Sequence, residues 1–159
     1  MAVQPDALSA VSSVPARSTA LERIAVVETQ LARLRAISRS ESAGNGAMLC
    51  EDPHFMRRIT ELEIAAMPLR WVEPRCSPQT SAILELCLLD LADRLDAALV
   101  EAVGPYAAPS QPGLGDNAWV GPAHARGITE NYISSRFDPT RHAARGNARD
   151  AIAASLFER

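Results

Sequence analysis

The chain lacks the marks of several function classes. Its three cysteines, Cys50, Cys76 and Cys87, are odd in number and form no Cys-x-x-Cys pair, so no disulfide framework is expected and the thiols read as reduced, in a cytoplasmic compartment. Cys87 is expected to pack as a small hydrophobe. No basic start followed by an apolar core opens the sequence, and no apolar run approaches the roughly 20 residues of a membrane span. A soluble protein without a membrane partner is the expectation. With a net charge of −3 and no dense basic face, nucleic acid is not an expected partner. His54 and His124 stand far apart with no metal-ligand spacing, so no metal is assigned. Strand-like alternation is missing throughout, which leaves helices as the regular elements.

What is present is helical periodicity. A chain of 159 residues, 47% of them hydrophobic, suffices for one domain with a single core. Residues 1–17, rich in Ala, Ser, Val and Pro, read as a flexible N-terminal tail, and 18–159 as the folded unit. Thr19-Ala20-Leu21-Glu22 fits a capping box, and Leu21, Ile24, Val27, Leu31, Leu34 and Ile37 follow at helical spacing to about Ser38. Ser40 to Gly46 breaks the pattern at Gly44-Asn45-Gly46.

Two long amphipathic helices then organise the chain. Asp52 caps the first with Pro53 at its first position, and Phe55, Ile59, Leu62, Ala66 and Leu69 form one stripe. Pro68 is expected to kink this helix or end its regular part near Met67, with Trp71 and Val72 closing over the end of the core. A stiff elbow from Val72 to Pro78 leads into the second, capped by Ser77. That helix runs Ile83, Leu86, Leu89, Leu91, Leu95, Ala98, Leu99 and Ala102 before Gly104-Pro105 stops it. It is apolar around more than half its circumference, which places it at the centre of a bundle.

From Pro105 to Gly127 lie about twenty residues without a clear period, a length that marks functional or partner-contacting loops. Trp119 is expected to anchor this loop to the bundle. A short helix from about Thr129 to Arg136 follows, with Tyr132 and Ile133 inward, ended by Asp138-Pro139. A last helix from about Asn147 to Phe157 would bury Ala148, Ala151, Ile152, Ser155 and Leu156. The expected architecture is all-α, an antiparallel up-down four-helix bundle with a short extra helix.

Three stretches carry a family resemblance. They are Arg17-Ser18-Thr19-Ala20-Leu21-Glu22-Arg23, then Glu51-Asp52-Pro53-His54-Phe55 with Arg58 and Glu61-Leu62-Glu63-Ile64, and Ser81-Ala82-Ile83-Leu84 through Glu101-Ala102-Val103-Gly104-Pro105-Tyr106-Ala107. In order and spacing they resemble the C-terminal helical-bundle domain of the acyl-CoA dehydrogenases, from about Arg17 to the end. That family uses a carboxylate base to take the α-proton of an acyl-CoA thioester while a hydride passes to FAD. Tyr132 and Arg136 match the opening of its last motif, and Arg149, Ile152 and Ala153 match the close.

Between these the pattern departs from the family. The position often held by the catalytic Glu falls on His142, and the Gly and the hydroxyl residue after it fall on Ala143 and Ala144. The helix-capping Glu falls on Gly146. An alternative base position near Leu8-Ser9 holds no acid, and Glu85 stands where relatives usually have Lys. The family's N-terminal helical and middle β-domains have no counterpart in this sequence, so a complete active site is not expected from this chain alone.

The residues leave alternatives open. His142 is a candidate general base, since imidazole titrates near neutrality, or an exposed loop histidine. Arg136, Arg141, Arg145 and Arg149 recur every four or five residues. They are candidates to hold a phosphate of FAD or CoA, or solvated groups pairing with Asp138 and Asp150. Asn147 is a candidate N-cap whose helix end would offer amides to the same anion. The resemblance implies a non-catalytic partner or oligomerisation subunit, joined to a larger acyl-CoA dehydrogenase chain or to its own copies. The alternatives are the second half of a split enzyme sharing FAD with a partner chain, and a helical interaction protein unrelated to acyl-CoA. It also implies that an exposed apolar face remains on the monomer.

Overall fold

The computed structural model describes residues 16–44, 46–72, 78–104, 122, 125 and 127–157. The expected tail up to residue 15, the elbow at 73–77, Cys76, Trp119 and His124 lie outside them. Among the described residues are five α-helices: α1 (Ala16–Ser40), α2 (Pro53–Val72), α3 (Pro78–Val103), α4 (Ile128–Arg136) and α5 (Pro139–Phe157). No strand forms among them, beyond a lone bridge between Ser42 and Met48.

Helix α3 is the centre. It packs against each of the other four α-helices, and its buried residues Leu84, Leu88, Leu89, Leu91, Leu95, Ala98, Leu99, Ala102 and Val103 span about half of its circumference. Its exposed residues Ile83, Cys87, Asp90, Arg94 and Glu101 share one narrow solvent-facing strip, and the neighbouring helices cover the apolar arc. From α1, Ile24, Val27, Leu31, Leu34 and Ile37 meet it; from α2, the expected stripe Phe55, Ile59, Leu62, Ala66 and Leu69 is buried in full.

Cross-helix ion pairs fix directions. Glu28 pairs with Arg70 at 2.6 Å and Arg35 with Glu63, so α1 and α2 run antiparallel. Arg58 pairs with Glu101 and Arg23 with Glu85, which sets α3 antiparallel to α2 and parallel to α1. The reversal between α1 and α2 uses Gly44 and Gly46 at φ +82 and +88, a left-handed conformation that a Cβ disfavours. Asp52 then caps α2, its Oδ1 accepting from the His54 N–H at 3.0 Å.

Several expectations are corrected. Helix α1 begins at Ala16, so Thr19 lies inside it and no capping box starts it there. Leu21, in the second turn of its helix, is about half exposed, and so is Ile83, which lies on the solvent-facing strip of α3 although Leu84 beside it is core. Helix α2 continues past Pro68 to Val72, and Trp71 is 77% exposed: its direction is opposite the core stripe, so it does not close the core. Cys87 is exposed. Ile133, Ala151 and Leu156 also face solvent, and Ile128 and Ala148 carry the burial of α4 and α5.

Two substitutions separate these faces. Leu95→Ala, at a side chain 1% exposed, is expected to cost about 2–5 kcal/mol in urea unfolding. Trp71→Ala should change unfolding of the monomer by no more than about 0.5 kcal/mol.

Candidate functional site

The sequence-level candidates gather where α4 and α5 meet α3. The Asp138-Pro139 pair that ends α4 also starts α5. Asp138 Oδ1 accepts from the Thr140 N–H at 2.8 Å and from its Oγ1 at 2.7 Å, and Pro139 takes the first helical position, where a missing N–H costs nothing. Helix α5 therefore starts eight residues before the expected Asn147. Asn147 sits exposed in the helix interior, caps nothing and presents no helix end to an anion. The hydrogen bonds from Thr140, first its hydroxyl and then its amide, hold the Asp138 carboxyl below the usual carboxylate range.

This longer α5 carries Arg141 and Arg145 against the flank of α3. Arg145 Nη2 donates to Asp93 Oδ2 at 2.8 Å, and Arg141 Nη1 lies 3.4 Å from both Asp93 Oδ1 and Asp96 Oδ2. From α4, Ser135 Oγ donates to Asp96 Oδ2 at 3.0 Å. All four charged side chains are at least two-thirds covered. The result is a balanced seam of two guanidinium groups and two carboxylates. Its arginines are already engaged by anions of the chain itself.

The other candidates lie around this seam. Arg136 is exposed, with its guanidinium 5.6 Å from the centre of the Tyr132 ring one turn earlier. Arg149 is exposed on α5. His142 is exposed, and its Nε2 lies 2.9 Å from the carbonyl of Arg136, the last residue of α4. A carbonyl only accepts, so Nε2 carries the proton and the imidazole caps the end of α4. The structure thus brings Arg141, Arg145 and His142 to the α4–α5 junction, with Arg136 beside them, and leaves Asn147 and Arg149 apart. Asp93, Asp96 and Ser135 were not singled out from sequence. The available signal was two acids, three residues apart, among the five acids of α3.

Residues that carry the family resemblance serve helix contacts. Arg23 meets Glu85, Arg58 meets Glu101 and Glu63 meets Arg35, while Leu62 is core. Among the described residues no group of three or more His, Cys, Asp or Glu side chains is placed to hold a metal ion, and no helix is long and apolar enough to cross a membrane. Comparison with family models, with curated proteins and with solved structures returns no match.

The seam and the cap give separate predictions. Asp93→Asn removes the charge that both arginines share, and should cost about 1–3 kcal/mol of stability while loosening α5, seen as faster amide exchange there. For Asp138 the folded pKa lies below the unfolded one. Its stabilisation is therefore complete above the unfolded value of about 3.9 and is lost as pH falls through the folded value. Amide exchange at Thr140, corrected for intrinsic rate, should speed up on acidification through that range, and Asp138→Asn should remove the dependence.

Proposed function

We propose that this chain is a non-catalytic helical partner, an oligomerisation subunit for a flavin-dependent acyl-CoA dehydrogenase. Its finer fold in this reading is the antiparallel up-down four-helix bundle, with a short extra helix, of that family's C-terminal domain. The order and spacing of the three resembling stretches support the lineage. The observation that carries the partner role is that Ile133 and Phe137 around the α4–α5 junction, and Leu156 and Phe157 at the far end of α5, stay exposed. Large apolar side chains left in water at both ends of α5 favour a protein contact.

The position of the family's base supports a non-catalytic role over a catalytic one. His142, in that place, spends its Nε2 proton on the α4 carbonyl end, and two of the four candidate phosphate ligands are neutralised by Asp93 and Asp96. A second reading, half of a split enzyme with FAD shared between chains, is favoured by Arg136 and Arg149, whose exposed guanidinium groups remain able to meet a phosphate.

Co-expression with a larger acyl-CoA dehydrogenase chain tests this. A stable complex is expected on size exclusion, with Phe137→Asp weakening it at least about tenfold. A partner chain that binds FAD and turns over thioester only when this chain is present would favour the split enzyme. Absence of any complex would leave the third reading, a helical interaction protein without an acyl-CoA link.

A further inference from the structure

Helix α2 is apolar on two opposite sides. Inward lie Phe55, Ile59, Leu62, Ala66 and Leu69; outward, at three- and four-residue spacing, lie Ile64, Met67 and Trp71, exposed by 60%, 61% and 77%, with Pro68 between them. At 100° per residue Arg57 and Thr60 continue the outward row toward the start of the helix. Scattered apolar residues on a surface need no explanation, but a row of three on one helix face, ending in a tryptophan, marks a contact.

We propose that this outer face of α2 joins two copies of the chain, with the two helices packed antiparallel about Ile64. In that register Ile64 meets Ile64 of the second copy, Thr60 meets Pro68, and Arg57 meets Trp71. Arg57 and Trp71, at equal distances from Ile64, favour this direction. A parallel pairing would set Arg57 against Arg57, a like-charge contact, whereas the antiparallel one lays a guanidinium over an indole face. Arg57 stands at the edge of the row, beside the groove it lines with Arg58, Glu61 and Arg94; it is largely exposed, and Glu61 one turn along pairs with it at 2.9 Å, so its charge enters the contact already balanced. The centre is also constrained by length. Helix α2 ends at Val72, so a register centred further toward Trp71 would forfeit most of the overlap, and one centred near Ile64 keeps nearly all of it.

A single helix pair covers less than the roughly 800 Å² per partner of a standard stable interface. The dimer is therefore weak and concentration-dependent. This inference uses a different surface from the α4–α5 one and stands whether or not a flavoprotein partner binds there.

Sedimentation and cysteine cross-linking test it. The natural chain should pass from monomer to dimer over micromolar concentrations, and Ile64→Glu should raise the dissociation constant at least about tenfold with unchanged helicity and melting. In a background with Cys50, Cys76 and Cys87 replaced by Ser, Ile64→Cys alone should form a disulfide-linked dimer under mild oxidation. Arg57→Cys and Trp71→Cys should cross-link when mixed and not singly. A natural chain that stays monomeric at millimolar concentration overturns the proposal, as does a dimer that Ile64→Glu leaves intact. Cross-linking at Cys-substituted position 57 or 71 alone would overturn the antiparallel register, and monomeric binding of the Trp71 face to lipid vesicles would identify a membrane surface instead.

Discussion

Helix α3 carries Leu84, Leu88, Leu91, Leu95, Ala98 and Leu99, together with Ala102 and Val103, on one broad apolar arc. Each fully buried leucine contributes roughly 1.5–3 kcal/mol relative to exposure, so leaving this arc of α3 in water forfeits a sizeable part of a stability that is only about 5–15 kcal/mol in total. That constraint explains the order of the rest. Helices α1 and α2 cover one side with clean apolar stripes. Helices α4 and α5, which supply Ile128 and Ala148, cover the other with much less apolar surface.

The two sides are consequently held in different ways. On the α1–α2 side burial supplies the energy, and the partly exposed ion pairs, worth about 0–1 kcal/mol each, mainly set how far each helix slides along its neighbour. Every one of these pairs uses arginine, since the chain contains no lysine, and a planar fork constrains position better than a point charge does. Glu85 shows the logic. A lysine at this position would face Arg23, whereas the glutamate gives Arg23 its partner. On the α5 side, with little apolar contact available, the better-covered seam of Asp93 and Asp96 with Arg141 and Arg145 carries more of the attachment.

Sequence periodicity made the α1 and α2 stripes and the central place of α3 legible, because regular apolar spacing over five or six turns has one physical explanation. It failed at ends and across distance. Leu21 keeps the period but stays half exposed, and Ile83 faces solvent although Leu84 beside it is core, something only tertiary packing decides. Asp138-Pro139 reads locally as a stop, and it serves α4 as one, yet the same pair is a cap and first turn for α5. Missing that start made Asn147 look like a helix end. Arg141 and Arg145 looked available to a phosphate because their partners, Asp93 and Asp96, lie some 45 to 52 residues away, where no spacing rule reaches. Arg136, stacked on a tyrosine of its own turn, was nearer to being readable.

The outward row on α2 sharpens the contrast between periodicity and burial. Ile64, Met67 and Trp71 repeat at the same helical spacing as the core stripe, so hydrophobic pattern alone marks both faces as inward, and only the coordinates tell which one this chain covers itself. A surface helix gains nothing for its own fold by holding an indole in water, and Trp71 lies beyond the reach of the core that buries Leu69 two residues before it. In the proposed dimer, folding uses one face of α2 and association uses the other. Because the two faces share one rigid helix, substitutions on the outer row can alter association while the core stripe that holds α2 against α3 stays in place.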